Sequence, residues 1–287
     1  MFSMMTANLR GALLDDGEDS WRFRKSICLE VLKKHASDLI GFQEMQEPQR
    51  ECFREEFPEY ELIGVLDCVG GFERQEIAPV PENSSTVVRT LSGGHPMNSV
   101  MIRRERFEVM SIQSFALSEL PLRNGSISAD GWCPRYAVVL TLRERGSGKY
   151  LVWINTHLDH KGELARKAQS VLINTYATQF GPRWPLVLTG DMNCDRGSAA
   201  IQNFFTAGWI DTFAEASGVE EPGHTFHRFL GYAYARVPDR ENWSGKMDWI
   251  FRRGPLRTLN SRIVDDAGPT GRFPSDHFFV RAELDWA

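Results

Sequence analysis

The sequence predicts one α/β domain over residues 1–287. Short apolar runs recur along the chain and end on polar side chains, a pattern typical of buried strands that deliver polar groups to one edge of a sheet. Amphipathic stretches between several of these runs predict crossover helices, whereas Gly146-Ser147-Gly148 predicts a hairpin turn. No repeat or linker divides the chain, so this mixture favours a single α/β domain over two.

The order of strands and helices follows from hydrophobic periodicity and turn residues. The first helix is predicted because Ile27, Val31 and Leu32 recur at helical spacing together with Phe23, with basic residues on the opposite side. Helices are predicted over residues 21–35, 48–57, 163–180 and 199–207. Strands are predicted over residues 3–8, 38–44, 60–69, 98–102, 107–112, 136–142, 150–155, 185–189, 246–251 and 278–284.

Two expectations concern how these elements pack. The strands at 98–102 and 107–112 are predicted to pair as a hairpin around Arg103-Arg104-Glu105-Arg106, a cluster that fits a solvated turn better than a nucleic-acid patch. The helix at 163–180 is predicted to bury one apolar face. That face consists of Leu164, Ala168, Val171, Leu172 and Tyr176.

Long irregular stretches interrupt the predicted elements at residues 70–97, 118–134 and 208–245. Loops of this length inside a compact domain are usually functional. Trp132 and Trp243 lie in such stretches, where a tryptophan either anchors the loop or stacks on a base. We expect these loops to shape the choice of substrate.

Composition narrows the class of protein. Hydrophobic residues at 42% and charged residues at 25% are ordinary for a globular protein, and the net charge of −5 argues against a broad basic face that grips long nucleic acid. The five cysteines are scattered, with neither a disulfide framework nor zinc-finger spacing. No signal peptide and no apolar run of about 20 residues is visible, so we expect a cytoplasmic protein with no membrane span. Nothing in the sequence indicates an oligomeric state.

Polar clusters at strand ends carry the functional signal. Asp191 and Asn193 follow an apolar run two positions apart, so both can point toward one spot at the carboxyl end of the strand. A carboxylate can orient or deprotonate water and an amide can donate to developing negative charge, although the same residues are also ordinary turn formers. Asp248 lies within an apolar strand and needs a partner there. The clusters are Asn8, Glu44, His157 with Asp159, Asp191 with Asn193, and Asp276-His277.

These motifs occur in one order over nearly the whole chain, and the ordered set resembles the endonuclease/exonuclease/phosphatase superfamily. That superfamily includes DNase I-like nucleases, abasic-site endonucleases, deadenylases, inositol polyphosphate 5-phosphatases and sphingomyelinases. The resemblance implies a four-layer α/β/β/α sandwich of two mixed sheets flanked by helices. The motifs are Asn8, Phe42-Gln43-Glu44, Asn155-Thr156-His157-Leu158, Gly190-Asp191-Met192-Asn193, Met247-Asp248-Trp249-Ile250 and Ser275-Asp276-His277.

The resemblance also implies a divalent metal site. Glu44 would be the principal ligand, with Asn8 and Asp276 in or near its shell. Hard oxygen ligands of this kind suit Mg²⁺ or Mn²⁺ better than zinc.

The remaining motif residues are expected to carry the chemistry of phosphoester hydrolysis. By resemblance, Asp191 would activate the attacking water and Asn193 would hold the phosphoryl oxygens. His277, aligned by Asp248, would bind the phosphate and stabilise its charge, and His157 would be the second histidine at the phosphate, as an acid or a hydrogen-bond donor.

Three further residues have less defined roles. Arg135 stands where DNase-like relatives place an arginine near the phosphate, and Asn98 stands where many relatives carry a glutamate that hydrogen-bonds the histidine matched by His157. An amide cannot raise the pKa of an imidazole as a carboxylate does. Asp159 is either a cap for the following helix or a catalytic group.

The sequence therefore predicts a Mg²⁺- or Mn²⁺-dependent phosphoesterase. The first interpretation is a phosphodiesterase or nuclease that acts on a nucleotide or a nucleic-acid end. A second is a phosphatase or phosphodiesterase of a small soluble ester, such as an inositol phosphate or a nucleotide. A third, of another class, is a non-catalytic binding protein on the same fold.

Overall fold

The computed structural model describes residues 1–65, 97–238 and 245–287. The strands in this part of the chain are β1 (Phe2–Asn8), β2 (Leu39–Gln43), β3 (Tyr60–Val65), β4 (Met97–Arg103), β5 (Phe107–Ala116), β6 (Tyr136–Glu144), β7 (Tyr150–His157), β8 (Leu186–Asp191), β9 (Ile210–Asp211), β10 (Asp248–Arg253), β11 (Leu256–Val264) and β12 (Phe279–Trp286). The helices are α1 (Trp21–His35), α2 (Glu47–Glu56), α3 (Glu163–Ala177), α4 (Ala199–Thr206) and α5 (Thr212–Ser217), with 3-10 helices at Gly17–Asp19 and Gly231–Arg236.

The described strands form two six-stranded mixed sheets. The first sheet has the order β11-β12-β1-β2-β4-β3, and the second has the order β5-β6-β7-β8-β10-β9. Each sheet contains one parallel pair at its centre, β1 with β2 in the first and β7 with β8 in the second. Parallel neighbours end at the same edge of a sheet, so each sheet brings two strand carboxyl ends together.

Apolar side chains fill the space on both faces of each sheet. Along β1 the side chains alternate, so that Phe2 and Met4 face the second sheet while Met5 and Ala7 face α1 and α2. In β8, Val187 lies between the sheets and its neighbours pack against α3 and α4. The layers therefore follow the order helix, sheet, sheet, helix, which confirms the predicted four-layer sandwich.

The predicted hairpin between residues 98–102 and 107–112 is wrong. The strand β4 pairs with β2 and β3, whereas β5 pairs with β6 in the other sheet. The turn Arg103–Arg106 closes with a hydrogen bond from Arg106 N to Arg103 O and carries the chain from one sheet to the other. Each strand shows the alternation of a half-buried strand, but that pattern does not specify its neighbour.

The buried face predicted for the 163–180 helix is only partly right, and the helix itself ends at Ala177. Leu164 and Val171 are exposed, and Leu172 and Tyr176 are only partly buried. Polar side chains take part of the buried face because they find partners there. Gln169 Oε1 accepts the main-chain N–H of Asp159, Ser170 Oγ accepts Asn203 Nδ2, and Asn174 Nδ2 donates to the carbonyl of Asn203.

Hydrophobic periodicity did not predict the strands β9 and β11, the helix α5 or the two 3-10 helices. The strand β11 lies at the edge of the first sheet, pairs only with β12 among the described strands, and has an irregularity between Thr258 and Asn260. Its many exposed positions hide the strand pattern. The short helix α5 lies within the stretch predicted to be loop-rich. The predicted loop at 70–97 and Trp243 lie almost or entirely outside the described residues.

No helix among the described residues is both long enough and apolar enough to cross a bilayer.

Candidate active site

Three strand ends of the second sheet align His157, Asp191 and Asp248 side by side. His157 pairs with Asp191 across β7 and β8, and Asp191 pairs with Asp248 across β8 and β10. Residues paired in register point to the same face of a sheet, so the three side chains converge. His157 Nε2 lies 3.4 Å from Asp191 Oδ2.

Gly190 permits this alignment. A Cβ atom at this position would lie 2.2 Å from the carbonyl oxygen of Thr156 in the neighbouring strand. Only glycine allows β7 and β8 to approach each other this closely just before His157 and Asp191.

His277 connects the two sheets. It lies just before β12, and its Nδ1 is 2.9 Å from Asp248 Oδ2 while its Nε2 is 3.8 Å from Asp191 Oδ2. Burial disfavours the charged imidazolium, but the carboxylates of Asp248 and Asp191 outweigh that effect and raise the pKa of His277 to about 10. His277 is therefore a cation at neutral pH, held between two carboxylates.

The first sheet contributes Asn8 and Glu44 from the ends of β1 and β2. Asn8 Nδ2 lies 2.9 Å from Asp191 Oδ2 and 3.1 Å from Glu44 Oε1, while Asn8 Oδ1 accepts the main-chain N–H of Arg10. That N–H can only donate, so the amide oxygen must face Arg10 and the NH₂ group must face the carboxylates. In this orientation Asn8 bridges Glu44 and Asp191 and does not offer its oxygen to the cluster.

Glu44 adopts the left-handed backbone conformation, with φ of 58°. This conformation is uncommon for glutamate and is held by hydrogen bonds to its carboxylate from Asn8 and from the N–H of Gly11. Burial raises the carboxylate pKa, but the imidazoles of His157 and His277 outweigh it and leave the pKa of Glu44 lowered.

Asp276 completes the group of carboxylates. Its Oδ2 lies 3.8 Å from Arg10 Nε, and Arg10 also forms an ion pair with Asp16. Burial, together with the charge of Glu44, raises the pKa of Asp276. A cation in addition to Arg10, bound beside Glu44 and Asp276, would relieve the repulsion between these two carboxylates.

These residues fit a divalent metal ion. Four carboxylates converge here, those of Glu44, Asp191, Asp248 and Asp276, and they face the imidazolium of His277 and a guanidinium that Arg10 shares with Asp16. The acidic groups outnumber the cations that face them in a buried site, and burial raises the pKa of both Asp248 and Asp276. The available donor atoms are carboxylate oxygens, the ligands that Mg²⁺ and Mn²⁺ prefer.

Two sets of side chains compete for the role of metal ligands. Ligand atoms of Asp191, Asp248 and His277 lie within 4.8 Å of one another. However, His277 Nδ1 and Asp248 already bind each other, and an imidazole must be neutral to bind a metal. The raised pKa of His277 makes Glu44 and Asp276 the better candidates.

Asn193 faces the loop after β7 as well as the site. It has φ of 50°, its main-chain N–H donates to Asp191 Oδ1 at 2.8 Å, and its Nδ2 donates to the carbonyl of Leu158 at 2.9 Å. One of its two amide protons is thus used to hold the β7 and β8 loops together, and the other is left for a ligand.

The remaining predicted residues lie around His157. Arg135 Nη2 lies 3.1 Å from His160 Nδ1, and Asn98 Nδ2 donates to the carbonyl of Tyr136 at the start of β6. Asp159 accepts main-chain N–H groups of Lys161, Gly162 and Trp132, at 2.9, 2.8 and 2.8 Å. Asp159 is therefore a loop anchor, and the first residue of α3 is not capped by it.

Sequence reasoning missed Arg24, which supports the first-sheet half of the site. This fully buried arginine donates to the carbonyls of Leu9, Arg10 and Pro274, and to that of Asp19. The first three carbonyls flank Asn8 and Asp276, so Arg24 ties both loops to α1. Its helical position, among other basic residues, gave no signal of burial.

Thr225 was also missed. Its Oγ1 accepts the N–H groups of Met247 and Asp248, and its carbonyl accepts the N–H of Phe278. It therefore connects the start of β10 with the segment just before β12, which carry Asp248 and His277. The stretch His224-Thr225-Phe226-His227 was predicted to be a loop because its polar and apolar residues do not show the alternation of a strand.

The fold and the converging carboxylates and imidazoles match a known family. The model of the Endonuclease/Exonuclease/phosphatase family matches residues 5–277. The chain belongs to the endonuclease/exonuclease/phosphatase family, whose members hydrolyse phosphoester bonds. A comparison with curated proteins gave no match.

Solved structures share the fold over the full length of the chain. The endonuclease/exonuclease/phosphatase from Bacteroides vulgatus is 26% identical, with a TM-score of 0.79 and coverage of 100% of this chain and 99% of that one. A Bacteroides thetaiotaomicron mannosyl-6-phosphatase is 22% identical, with a TM-score of 0.79 and full coverage of both chains. D. rerio TDP2, complexed with a single-strand DNA product, is 14% identical, with a TM-score of 0.68 and coverage of 99% and 98%.

Proposed function

We propose that this chain is a Mg²⁺- or Mn²⁺-dependent phosphoesterase that hydrolyses a P–O bond by attack of a water molecule. The observation that carries the proposal is the convergence of strand ends from both sheets. They bring Asp191, with His157 and His277 beside it, against Asn8 and Glu44. Phosphoryl transfer needs positioning and charge neutralisation more than covalent chemistry, and this cluster can supply both.

Asp191 is the residue suited to hold and deprotonate the attacking water. Burial raises its pKa, but His277, His157 and the N–H of Asn193 outweigh that effect and lower the pKa, so Asp191 is a carboxylate at neutral pH. The N–H of Asn193 and the amide of Asn8 fix its orientation. A general base must be held in this way to act at one point on the substrate.

The two histidines are suited to stabilise the phosphate. Asp248 binds the Nδ1 of His277, so the Nε2 of the imidazolium is directed at Asp191 and the site. There it can donate to a phosphoryl oxygen and balance its charge. His157 approaches Asp191 from the other side, and Asn193 and Arg135 supply further donors nearby.

Glu44 and Asp276 would hold the metal ion, with Asn8 orienting Glu44. When bound, the ion would supply Lewis-acid charge stabilisation to the phosphate.

Two substrate classes follow. One is a phosphodiester at the end of a nucleotide or nucleic acid, and the likeness to TDP2 supports it. The other is a small phosphate ester, and two observations favour it. First, the basic residues Arg103 and Arg106 lie at the opposite end of the sheets from the site, where they form ion pairs with Asp38 and Glu144. They therefore do not provide a basic surface for nucleic acid beside the site. The likeness to a mannosyl-6-phosphatase also covers both chains completely.

The test is a screen of phosphomonoesters, phosphodiesters and short oligonucleotides with added Mg²⁺ or Mn²⁺. We expect activity that disappears with excess chelator and returns with metal. Glu44→Gln should lower kcat/KM by about 100-fold or more at a fixed metal concentration. Glu47→Gln should not, because Glu47 is a partly exposed residue at the start of α2 that pairs with Arg50.

Full activity in excess chelator would rule out the metal-dependent mechanism. Binding of an ester without hydrolysis would point to the non-catalytic alternative. If oligonucleotides are substrates, a shallow dependence of KM on salt is expected, because few phosphates are neutralised. A steep dependence would favour long nucleic acid over a small ester.

A further inference from the structure

An exposed tryptophan lies on a loop that is attached to the segment following His157. Trp132 lies in the connection between β5 and β6, and 67% of it is accessible to solvent. Its main-chain N–H donates to Asp159 Oδ2 at 2.8 Å, and Asp159 is two residues after His157. The loop that carries Trp132 is therefore attached to the loop that follows β7.

The anchoring of Trp132 does not use its side chain. Asp159 Oδ2 binds the main-chain N–H groups of Trp132 and Cys133, while Oδ1 binds those of Lys161 and Gly162. Any residue could supply such N–H groups. The fold accordingly gives no reason for an indole at this position, and exposing one is unfavourable compared with a polar side chain.

Two side chains that carry hydrogen-bond donors lie beside the indole. Lys161 Nζ lies 5.3 Å from the ring centroid, and the ring of His160 meets it edge to face at 6.3 Å. Arg135 Nη2 donates to His160 Nδ1, so the proton of the neutral imidazole is on Nε2 and available to a ligand. Burial and the charge of Arg135 lower the pKa of His160 and keep the ring neutral.

The same loop is tied to the proposed catalytic groups. Leu158 N donates to the carbonyl of Asp191 at 2.9 Å, and Asn193 Nδ2 donates to the carbonyl of Leu158 at 2.9 Å. Two residues separate His157 from His160. The indole and its donors thus have a defined position relative to the phosphate site, as a specificity element requires.

We propose that Trp132, with Lys161 and His160, binds the alcohol part of the substrate, and that this part contains a ring. The proposal rests on the phosphoesterase function proposed above. The ring stacks on the open face of the indole, and its oxygen atoms accept hydrogen bonds from Lys161 Nζ and His160 Nε2. A hexose phosphate and a nucleoside monophosphate share this chemistry.

The experiment compares ring-containing esters with a ring-free ester on three variants. The substrates are a hexose 6-phosphate, a nucleoside 5′-monophosphate and glycerol 3-phosphate. The variants are Trp132→Ala, Trp132→Phe and, as a matched control, Trp184→Ala. Trp184 is a partly exposed tryptophan after α3 whose ring packs against Phe180.

Trp132→Ala should raise KM for at least one ring-containing ester about tenfold more than for glycerol 3-phosphate, which corresponds to about 1.4 kcal/mol of binding. Trp132→Phe should restore most of this selectivity, and Trp184→Ala should leave every KM unchanged. Whichever ring-containing ester shows the larger KM increase tells whether Trp132 binds a sugar or a nucleoside. Equal effects of Trp132→Ala on all three esters would overturn the proposal while leaving the phosphoesterase function intact. If the unaltered protein hydrolyses neither these three monoesters nor a nucleotide phosphodiester, the phosphoesterase function itself is contradicted.

Discussion

The pairing of Asp248 with His277 can be tested by a double-mutant cycle. Both groups are buried, and His277 Nδ1 lies 2.9 Å from Asp248 Oδ2. A hydrogen bond to a charged group contributes about 1.5–3 kcal/mol. Asp248→Asn should therefore lower kcat/KM by about 10- to 150-fold, because the imidazolium loses its aligning carboxylate.

The cycle tests whether the two residues act as a unit. His277→Ala should lower kcat/KM at least as much as Asp248→Asn does. The kcat/KM of the double variant should be close to that of His277→Ala alone. His157→Ala should cost about tenfold less than His277→Ala, since His277 has an aligning carboxylate partner of its own. His35→Gln, at the end of α1, controls for the loss of a buried histidine far from the site.

The pH profile gives an independent check. The carboxylates hold the pKa of His277 at about 10, so the imidazolium persists through neutral pH. Removal of the Asp248 charge lowers that pKa, and the decline of kcat/KM at high pH should begin at a lower pH in Asp248→Asn. The assignment is refuted if His157→Ala is the more damaging change, or if the effects of Asp248→Asn and His277→Ala multiply as independent losses.

Three further predictions concern groups that support the fold. Arg24→Lys should lower the free energy of unfolding in urea by about 2 kcal/mol and also reduce kcat/KM, because buried carbonyls beside Asn8 lose their donor; unchanged activity would show that Arg24 does not position the site. Lys246→Met should lower the free energy of unfolding by about 3–5 kcal/mol, because it leaves the carboxylate of Asp211, which lies 2.6 Å from Lys246 Nζ, buried without its cation. Adding Asp211→Asn to this variant should recover part of that loss. Burial lowers the pKa of His227 to about 3, so the unfolded chain binds a proton that the folded chain does not as pH falls from 6.5. Stability should therefore fall below pH 6.5, by about 2 kcal/mol at pH 5 from this group, and the Tm of His227→Asn should depend less on pH in that range; an identical dependence would exclude His227 as the cause.

Much of the candidate site could be predicted from local sequence. Asp191 and Asn193 follow a strand buried on both faces, and the polar residues that end β1, β2 and β7 follow similar runs. Strand ends meet at a sheet edge, so such a pattern predicts convergence without any knowledge of the sheet order. Helix α1 was predicted with its observed bounds because its apolar spacing is regular.

The sequence did not determine which elements pair or which polar groups find partners. The turn at Arg103–Arg106 has the length of a hairpin turn, yet it joins two sheets. The face of α3 contains Gln169 and Ser170 because partners from Asp159 and Asn203 meet them there. Periodicity measures average burial, whereas a buried polar side chain depends on a partner that is distant in sequence.

The sequence by itself thus determined the class of fold, the order of most elements and the set of polar residues at the strand ends. Tertiary structure alone decided that the NH₂ of Asn8 bridges Glu44 and Asp191, that Arg24 holds the loops beside them, and that the main chain of Trp132 is attached to Asp159. The physical reason is the distance in sequence over which each kind of interaction acts. Hydrophobic patterns act over a few residues along one element. Hydrogen bonds in a buried site join groups that are far apart in sequence, such as Asn8 and Asp191, 183 residues apart, and Arg24 and Pro274, 250 residues apart.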